Sequence, residues 1–500
     1  MDTTQTVWRS ARLSLLGTLF SRFSGLFRDL AMAFTFGASA EMGAFFVAYR
    51  LANLFRRLLG EGNLQGGFIP HFESLKKESI DKGVLFYRET ARSLGVVSVF
   101  TVMGLEIFLY GLRPFLPADW QAIVSLAMWM TPGLLFISLS GLNCALLQSQ
   151  KKYFWPSAAP IAFNAAWIGA AFIANAPAGL ALGITIAYGM QWAVTSAQAQ
   201  KELPIPTSDP IRLFSPEVKK LIRPMGLGII GAGAMQLNGA LDAIFARLAD
   251  PSGPAYLWYA IRLEQLPLAL FGIALSGALL PPLARAVQEG AHERFQSLLQ
   301  SAMRSACALM IPCTFGLLAL GGAGINLLYG HGDFTLADGH KTQGCLQGYS
   351  LCLLPSVFVL LIVQGFNAKK SYGVTVRATL YSVLANVFLN ALFVFGFKGG
   401  AASIAWATGI SSWVNCLILR PKIPIAYCLR LTIGSVVAAL AVGVTEGFVG
   451  GPTAIGGQIA QFALLAFVYV GIFIAMALVL QIDEYKNFLS GVAKSRSRCG

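Results

Sequence analysis

The sequence predicts an all-α polytopic membrane protein of fourteen transmembrane helices, with two six-helix lobes in parallel pseudo-repeat followed by two C-terminal helices. Three observations predict it. Of 500 residues, 56% are apolar and only 12% charged, with a mean hydropathy of +0.64, against roughly a quarter charged in a soluble domain. Apolar runs long enough to cross about 30 Å of hydrocarbon recur fourteen times. Lys and Arg collect in alternate loops, as they do on the cytoplasmic face of a membrane.

The first run, 11–34, follows Arg9 and has Ala38-Ser39-Ala40 behind it, which imitates a secretory leader. Arg22 and Arg28 interrupt it and it is too long for a leader's apolar region, so it reads as an uncleaved helix. The second run, 42–62, returns to a basic loop holding Lys76, Lys77, Lys82 and Arg88. Runs 90–112 and 121–147 join at Arg113 and close on Lys151 and Lys152. Runs 157–175 and 178–198 complete an N-lobe over 1–200. A cytoplasmic linker, 201–221, carries Lys201, Arg212, Lys219 and Lys220, with Arg223 just beyond. The C-lobe, 222–421, holds runs 222–248, 255–283, 303–328, 346–367, 374–396 and 400–419. Its basic loops contain Arg285, Arg294 and Arg304, then Lys369, Lys370 and Arg377, whereas the opposite loops hold only Lys341 and Lys398. Residues 422–483, bordered by Arg420 and Lys422, hold the last runs, 427–449 (with Arg430) and 457–481, and a basic tail follows over 484–500. Both termini are expected on the cytoplasmic side. Most of the formal charge of +14 is therefore a topology signal, and nucleic acid is removed as a partner.

An internal repeat supports the two lobes. Ala48-Tyr49-Arg50-Leu51-Ala52-Asn53-Leu54 resembles Ala260-Ile261-Arg262-Leu263-Glu264-Gln265-Leu266, and Phe68-Ile69-Pro70 answers Leu279-Leu280-Pro281. Lys151-Lys152-Tyr153 likewise answers Lys369-Lys370-Ser371-Tyr372. These offsets correspond to six spans. An even number gives a parallel repeat about an axis along the membrane normal, as in many transporters.

The basic residues left over are Arg22, Arg28, Arg50, Arg56, Arg57, Arg92, Arg247 and Arg262, all at or inside runs. Burying charge in hydrocarbon costs at least about 2.5 kcal/mol, so such residues face protein or a water-filled cavity. Snorkelling suits Arg92, Arg247 and Arg57 near run ends, but not Arg22, Arg28 or Arg50. Arg22 and Asp29 share a helical face, as do Arg50 and Arg57, with Glu61 one turn beyond Arg57. Two carboxylates cannot neutralise five arginines. The excess implies an anionic ligand, and arginine is the residue that forks onto phosphate or carboxylate oxygens.

A second cluster joins Asp242, Asn386, Asn390 and Thr408, oxygen donors suited to a hard cation such as Na⁺. Interhelical hydrogen bonding is the alternative use of the same residues. His331, Asp333, Asp338 and His340 share one loop without zinc spacing, and Gly321-Gly322-Ala323-Gly324 follows no strand, so it is no phosphate loop. Cys144, Cys307, Cys313, Cys352, Cys416 and Cys428 lie inside or beside runs with no CxxC, as small core residues do.

Ser21-Arg22-Phe23-Ser24-Gly25-Leu26-Phe27-Arg28-Asp29, Phe36-Gly37-Ala38, Ala44-Phe45-Phe46-Val47-Ala48, Asn53-Leu54-Phe55-Arg56-Arg57-Leu58, Glu61-Gly62 and Phe68-Ile69-Pro70 closely resemble the MurJ (MviN) family. Tyr259-Ala260-Ile261-Arg262-Leu263 continues the likeness. The resemblance implies a lipid II flippase of peptidoglycan synthesis, within the multidrug/oligosaccharidyl-lipid/polysaccharide exporter superfamily. It implies a transporter and not an enzyme, placed in the bacterial inner membrane. It further implies that the cavity arginines fall on Arg22, Arg28, Arg56 and Arg262, with Arg57 beside them, where the helical stripe alone favours Arg50 and Arg57, and that Asp29 and Glu61 close ion-pair gates. Two positions depart from the family pattern. Gly43, with Glu41 nearby, replaces an acidic residue, and Gln265, with Glu264 adjacent, replaces a glutamate. Gating pairs through those positions are put in question, leaving Glu264 as the available acid. No cofactor is implied; the coupling is to Na⁺, to H⁺ or to the membrane potential. Lipid II and membrane lipid are the expected partners, with cell-wall synthesis and division machinery as candidates. The alternatives are another exporter of the superfamily, a membrane-embedded polyprenyl-diphosphate enzyme, and a scaffold. The arginines would repel a drug cation, and the first two runs offer an enzyme little metal-binding or general-base chemistry.

Overall fold

The computed structural model describes residues 4–59, 63–203, 210–451, 454–482 and 484–485. Contacts divide the chain into two compact units, Met1–Ile244 and Phe245–Gly500. Regular structure among the described residues is entirely helical. The first unit holds α1 (Thr4–Phe36), α2 (Ala40–Leu59), α3 (Asn63–Glu78), α4 (Ile80–Leu112), α5 (Ala118–Met130), α6 (Gly133–Ser149), α7 (Phe154–Ile173), α8 (Pro177–Lys201) and most of α9 (Pro216–Ala249). The second holds α10 (Gly253–Pro267), α11 (Ile273–Gln288), α12 (His292–Tyr329), α13 (Leu336–Ser350), α14 (Leu353–Ala368), α15 (Tyr372–Ala391), α16 (Ala401–Ile418), α17 (Ile425–Val449) and α18 (Ile455–Val479).

Ten helical stretches are long and apolar enough to cross a membrane, or eleven if the bent pair α5–α6 is one span. Among the described residues hydropathy and length support ten or eleven of the fourteen expected spans. The helices outside this count are α1 and α2, where Arg22, Arg28 and Asp29, and Glu41 and Arg50, dilute the apolar pattern, the short α3, and α9, whose side chains are described only in part.

The first unit corrects the loop expected after residue 62. Residues 63–78 form α3, and α4 begins at Ile80, ahead of the run at 90. Leu64, Phe68 and Phe72 recur every four residues on one face of α3. They pack with Phe86, Tyr87, Leu142, Leu146 and Ala199, and Val218 and Leu221 of α9 complete this core. Phe68 stacks on Phe72 and Phe86 with centroids 5.4 and 5.3 Å apart. A hydropathy average misses such a helix because its other face is polar. Outside the runs, Glu217 at the start of α9 bonds Lys220 at 2.7 Å and His71 of α3 at 2.6 Å. Lys220 first, then His71, hold its carboxyl below the usual range.

The run at 121–147 is two helices bent by 41°. Pro132 supplies no N–H to continue the ladder. The Thr131 hydroxyl donates to the Met128 carbonyl at 3.0 Å and to Glu106 of α4. The run at 346–367 likewise begins earlier than expected, at Leu336, and turns at Leu351 and Cys352. Thr335 starts it with a capping box, accepting from the Asp338 N–H while Asp338 accepts from the Thr335 N–H. Asp338 also accepts from Tyr256 of α10 at 3.1 Å. Its role is to begin a helix and fix it to a neighbour. Asp338→Ala is therefore expected to cost about 1–2 kcal/mol, seen as a lower thermal midpoint of the detergent-solubilised protein, with Asp338→Asn costing less. An unchanged midpoint would remove the cap from the account.

Candidate functional site

The first unit builds its site on α1 and α7, which pack along their length. Arg28 and Asp29 are 8% and 2% exposed. The Arg28 guanidinium donates to Asp29 Oδ1 from Nε at 3.0 Å and from Nη2 at 2.7 Å. Its Nη1 donates to Asn164 Oδ1 at 3.0 Å. The guanidinium carbon lies 4.5 Å from the centre of the Trp167 ring. Asn164 and Trp167 are three apart on α7, so one face offers the guanidinium both an in-plane acceptor and a π surface. The cradle is itself braced. Asn164 donates to Ser24 Oγ at 2.9 Å, and Tyr49 of α2 packs on Trp167 at 4.8 Å.

Arg22 and Asp29 share a helical face, yet the structure separates them. Asp29 pairs with Arg28, whereas Arg22 is exposed. Leu15 and Leu19, on the Arg22 side of α1, are exposed, while Asp29 on that side is buried, although the earlier half of α1 still packs on α7 through Ser14 and Gly17. A face defined by periodicity need not stay in one environment over 33 residues. Arg50 is half-buried and donates from Nη1 to the Gly239 carbonyl of α9 at 3.3 Å. Arg56 and Arg57 are in α2, but their side chains lie outside the described residues, as does Glu61.

In the second unit, Arg262 of α10 stacks over Trp258 one turn earlier, at 4.2 Å, and its Nη1 donates to Gln265 Oε1 at 3.4 Å. The glutamine at the departing family position thus holds the arginine as a neutral acceptor. Glu264 is 5% exposed. Two positions from Arg262, it faces another direction, and it makes no ion pair among the described residues.

Asn386, Asn390 and Thr408 join in one polar network between α15 and α16. Asn390 donates to Asn386 Oδ1 at 2.9 Å, and Asn386 Nδ2 lies 3.4 Å from both Thr408 Oγ1 and Ser411 Oγ. This is the interhelical bonding weighed against a cation site. Asp242 belongs to α9 in the other unit, where Asn238 donates to it at 3.5 Å. No group of three or more His, Cys, Asp or Glu gathers as a metal site among the described residues. His331 contacts the Leu327 carbonyl at 3.2 Å. Arg92 donates to the Ile211 carbonyl at 3.2 Å, and Arg247 to Pro251 at the end of α9.

Sequence reasoning missed Asn164 and Trp167. They stand 136 or more residues from Arg28, and no local pattern signals that pairing. Trp258 could have been found, since it precedes Arg262 by four on one helix. Also missed was a buried chain in the first unit: Tyr87 donates to Asn143 at 2.6 Å, and Asn143 reaches Thr195 at 3.4 Å.

A family model described as lipid II flippase MurJ matches residues 32–449. A probable lipid II flippase MurJ of Chlamydia muridarum is 32% identical over 411 residues, covering 81% of this chain and 76% of its own. The lipid II flippase MurJ of Burkholderia cenocepacia is 28% identical over 418 residues, covering 80% and 81%. Among solved structures, a lipid II flippase MurJ in an inward closed conformation aligns with a TM-score of 0.79 at 21% identity, over 95% of this chain and 99% of that one. An inward-facing multidrug transporter of the MATE family aligns with a TM-score of 0.65 at 14% identity, over 87% and 99%.

Proposed function

The chain belongs to the MurJ family of lipid II flippases, and on that premise we propose how its own residues handle the substrate. It is a transporter rather than an enzyme, and its substrate places it in peptidoglycan biosynthesis. In our reading the chain crosses the bacterial cytoplasmic membrane fourteen times, with both termini cytoplasmic. The spans form two six-helix lobes, and the last two helices, α17 and α18, hold the polyprenyl tail. Adding α1, α2 and α9 to the apolar stretches supports that number, because their charges are what a substrate cavity would need.

Arg22, Arg28, Arg50, Arg56, Arg57 and Arg262 receive the pyrophosphate and adjoining headgroup, and rocking of the lobes carries it from the inner to the outer leaflet. The observation that carries this reading is the Arg28 cradle. A guanidinium stacked on Trp167 keeps its plane fixed while its edge is free to exchange Asp29 for phosphate oxygens. Asp29 then acts as a gate, compensating the arginine between cycles. Movement of the charged headgroup draws on the membrane potential or on a Na⁺ or H⁺ gradient.

The test is replacement of a depleted host flippase by this chain, with lipid II access to the outer leaflet as the readout. The intact chain is expected to restore access; failure of a stably expressed chain overturns the substrate reading. Orientation has its own check. A thiol introduced as Lys82→Cys should react with a membrane-impermeant reagent only after permeabilisation, and Lys398→Cys should react in intact cells. The reverse pattern would invert the topology.

A further inference from the structure

At one end of the second unit, the first turns of α12, the last turn of α14 and the chain leaving α16 enclose a cavity of about 210 Å³. Its interior is apolar, with Phe295, Met303 and Leu419 all buried. Its mouth carries Lys369, Arg420 and Lys422, all exposed, and no carboxylate lines it. Lys369 Nζ lies 4.4 Å from the Phe295 ring, and Lys422 Nζ donates to Gln296 Oε1 at 3.3 Å. Arg420 sits at φ 52°, a left-handed turn that carries the chain away from α16 toward α17. Its guanidinium has no ion-pair partner among the described residues. These three cations come from loops that the distribution of Lys and Arg assigns to the cytoplasmic side.

Three cations with no ion-pair partner among the described residues, around an apolar slot, suit an amphiphile with an anionic head. A free phosphate or nucleotide would leave the slot unfilled, and a zwitterionic lipid would bring a cation against the rim. The inner leaflet offers anionic phospholipid to such loops, with about fivefold in binding per Lys or Arg near the surface. We propose that this cavity is a binding site for an anionic membrane phospholipid. The phosphate is held by Lys369, Arg420 and Lys422, and the first methylenes of one acyl chain lie on Phe295 and Met303. The site shares no residue with the arginines assigned to the transported headgroup. It ties α12, α14 and α16 together through the lipid.

The test uses the full chain in detergent and measures retention of phosphatidylglycerol against phosphatidylcholine of the same chain length. Phosphatidylglycerol is expected to be retained preferentially. Neutralising one rim cation, as in Arg420→Gln, should weaken it about fivefold, and the triple Lys369→Gln, Arg420→Gln, Lys422→Gln variant about a hundredfold. Gln300→Trp, which fills the slot from its exposed edge and leaves the three cations, should also reduce retention; a diffuse surface attraction would not respond. Lys76→Gln with Lys77→Gln, on another basic segment, should have no effect. Equal retention of both lipids, full retention by the triple variant, or an equal loss from the Lys76 and Lys77 change each overturns the site. Competition by inorganic phosphate at matched concentration would assign the rim to a soluble anion and overturn the lipid.

Discussion

Arg28→Ala is expected to abolish restoration of lipid II access and to destabilise the first unit. The change removes three donated hydrogen bonds and a ring contact. It also takes the Arg28 guanidinium away from the Asp29 carboxylate, which is 2% exposed. Removing one partner of a buried pair costs roughly 3–5 kcal/mol, more than the pair itself contributes, because the remaining charge is uncompensated. Loss of function by this variant alone would therefore confound folding with transport. The double variant Arg28→Ala, Asp29→Asn separates them. It restores neutrality in the pocket and should recover most of the thermal stability while remaining inactive. Arg28→Lys keeps the charge but loses the planar fork, so it should fold and transport poorly. Full transport by the double variant would make Arg28 and Asp29 a structural pair and nothing more.

Gly348→Leu is expected to eliminate folded protein. A Cβ at Gly348 would lie 2.6 Å from the Trp406 backbone nitrogen and 2.8 Å from the Ala405 carbonyl carbon. Gly409 shares this close approach of α13 and α16, since a Cβ there would be 3.0 Å from the Gly348 carbonyl oxygen. Backbone cannot yield as the far end of a side chain can. Small residues at helix crossings provide close packing where lipid gives no hydrophobic drive between helices. Gly348→Ala should already cost about 1–3 kcal/mol, the usual range for overpacking, and leucine considerably more. The measurements are the yield of monodisperse protein and its thermal midpoint. Gly277→Ala is the control, because its Cβ would meet nothing within 4 Å. A Gly348→Ala protein as stable as the parent would refute the packing account.

Much of the candidate site was legible in residue types, because arginines in apolar runs stand out whatever their partners. Arg22, Arg28 and Arg262 stand out in this way as candidates, and the family resemblance adds Arg56. The partners were less legible. Periodicity joins Arg22 to Asp29, but Asp29 closes on Arg28 while Arg22 is exposed. The oxygen cluster was legible as chemistry and ambiguous as use. Asn386 and Thr408 satisfy one another across α15 and α16, a pairing the sequence allowed equally with a cation. Helix α3 escaped because averaging over its polar face concealed Leu64, Phe68 and Phe72.

By itself the sequence determined that the chain is helical and membrane-embedded, where most of its charge lies, and which family it resembles. These properties are carried by composition and by short motifs, which require no knowledge of which helix meets which. Tertiary structure alone decided that Arg28 is held by Asn164 and Trp167, that the run at 121–147 bends at Thr131-Pro132, and that Lys369, Arg420 and Lys422 ring one apolar cavity. Each depends on contacts between residues distant in the chain or on the path a helix takes through its unit. Such contacts are set by packing, and periodicity along one helix carries no information about its partner.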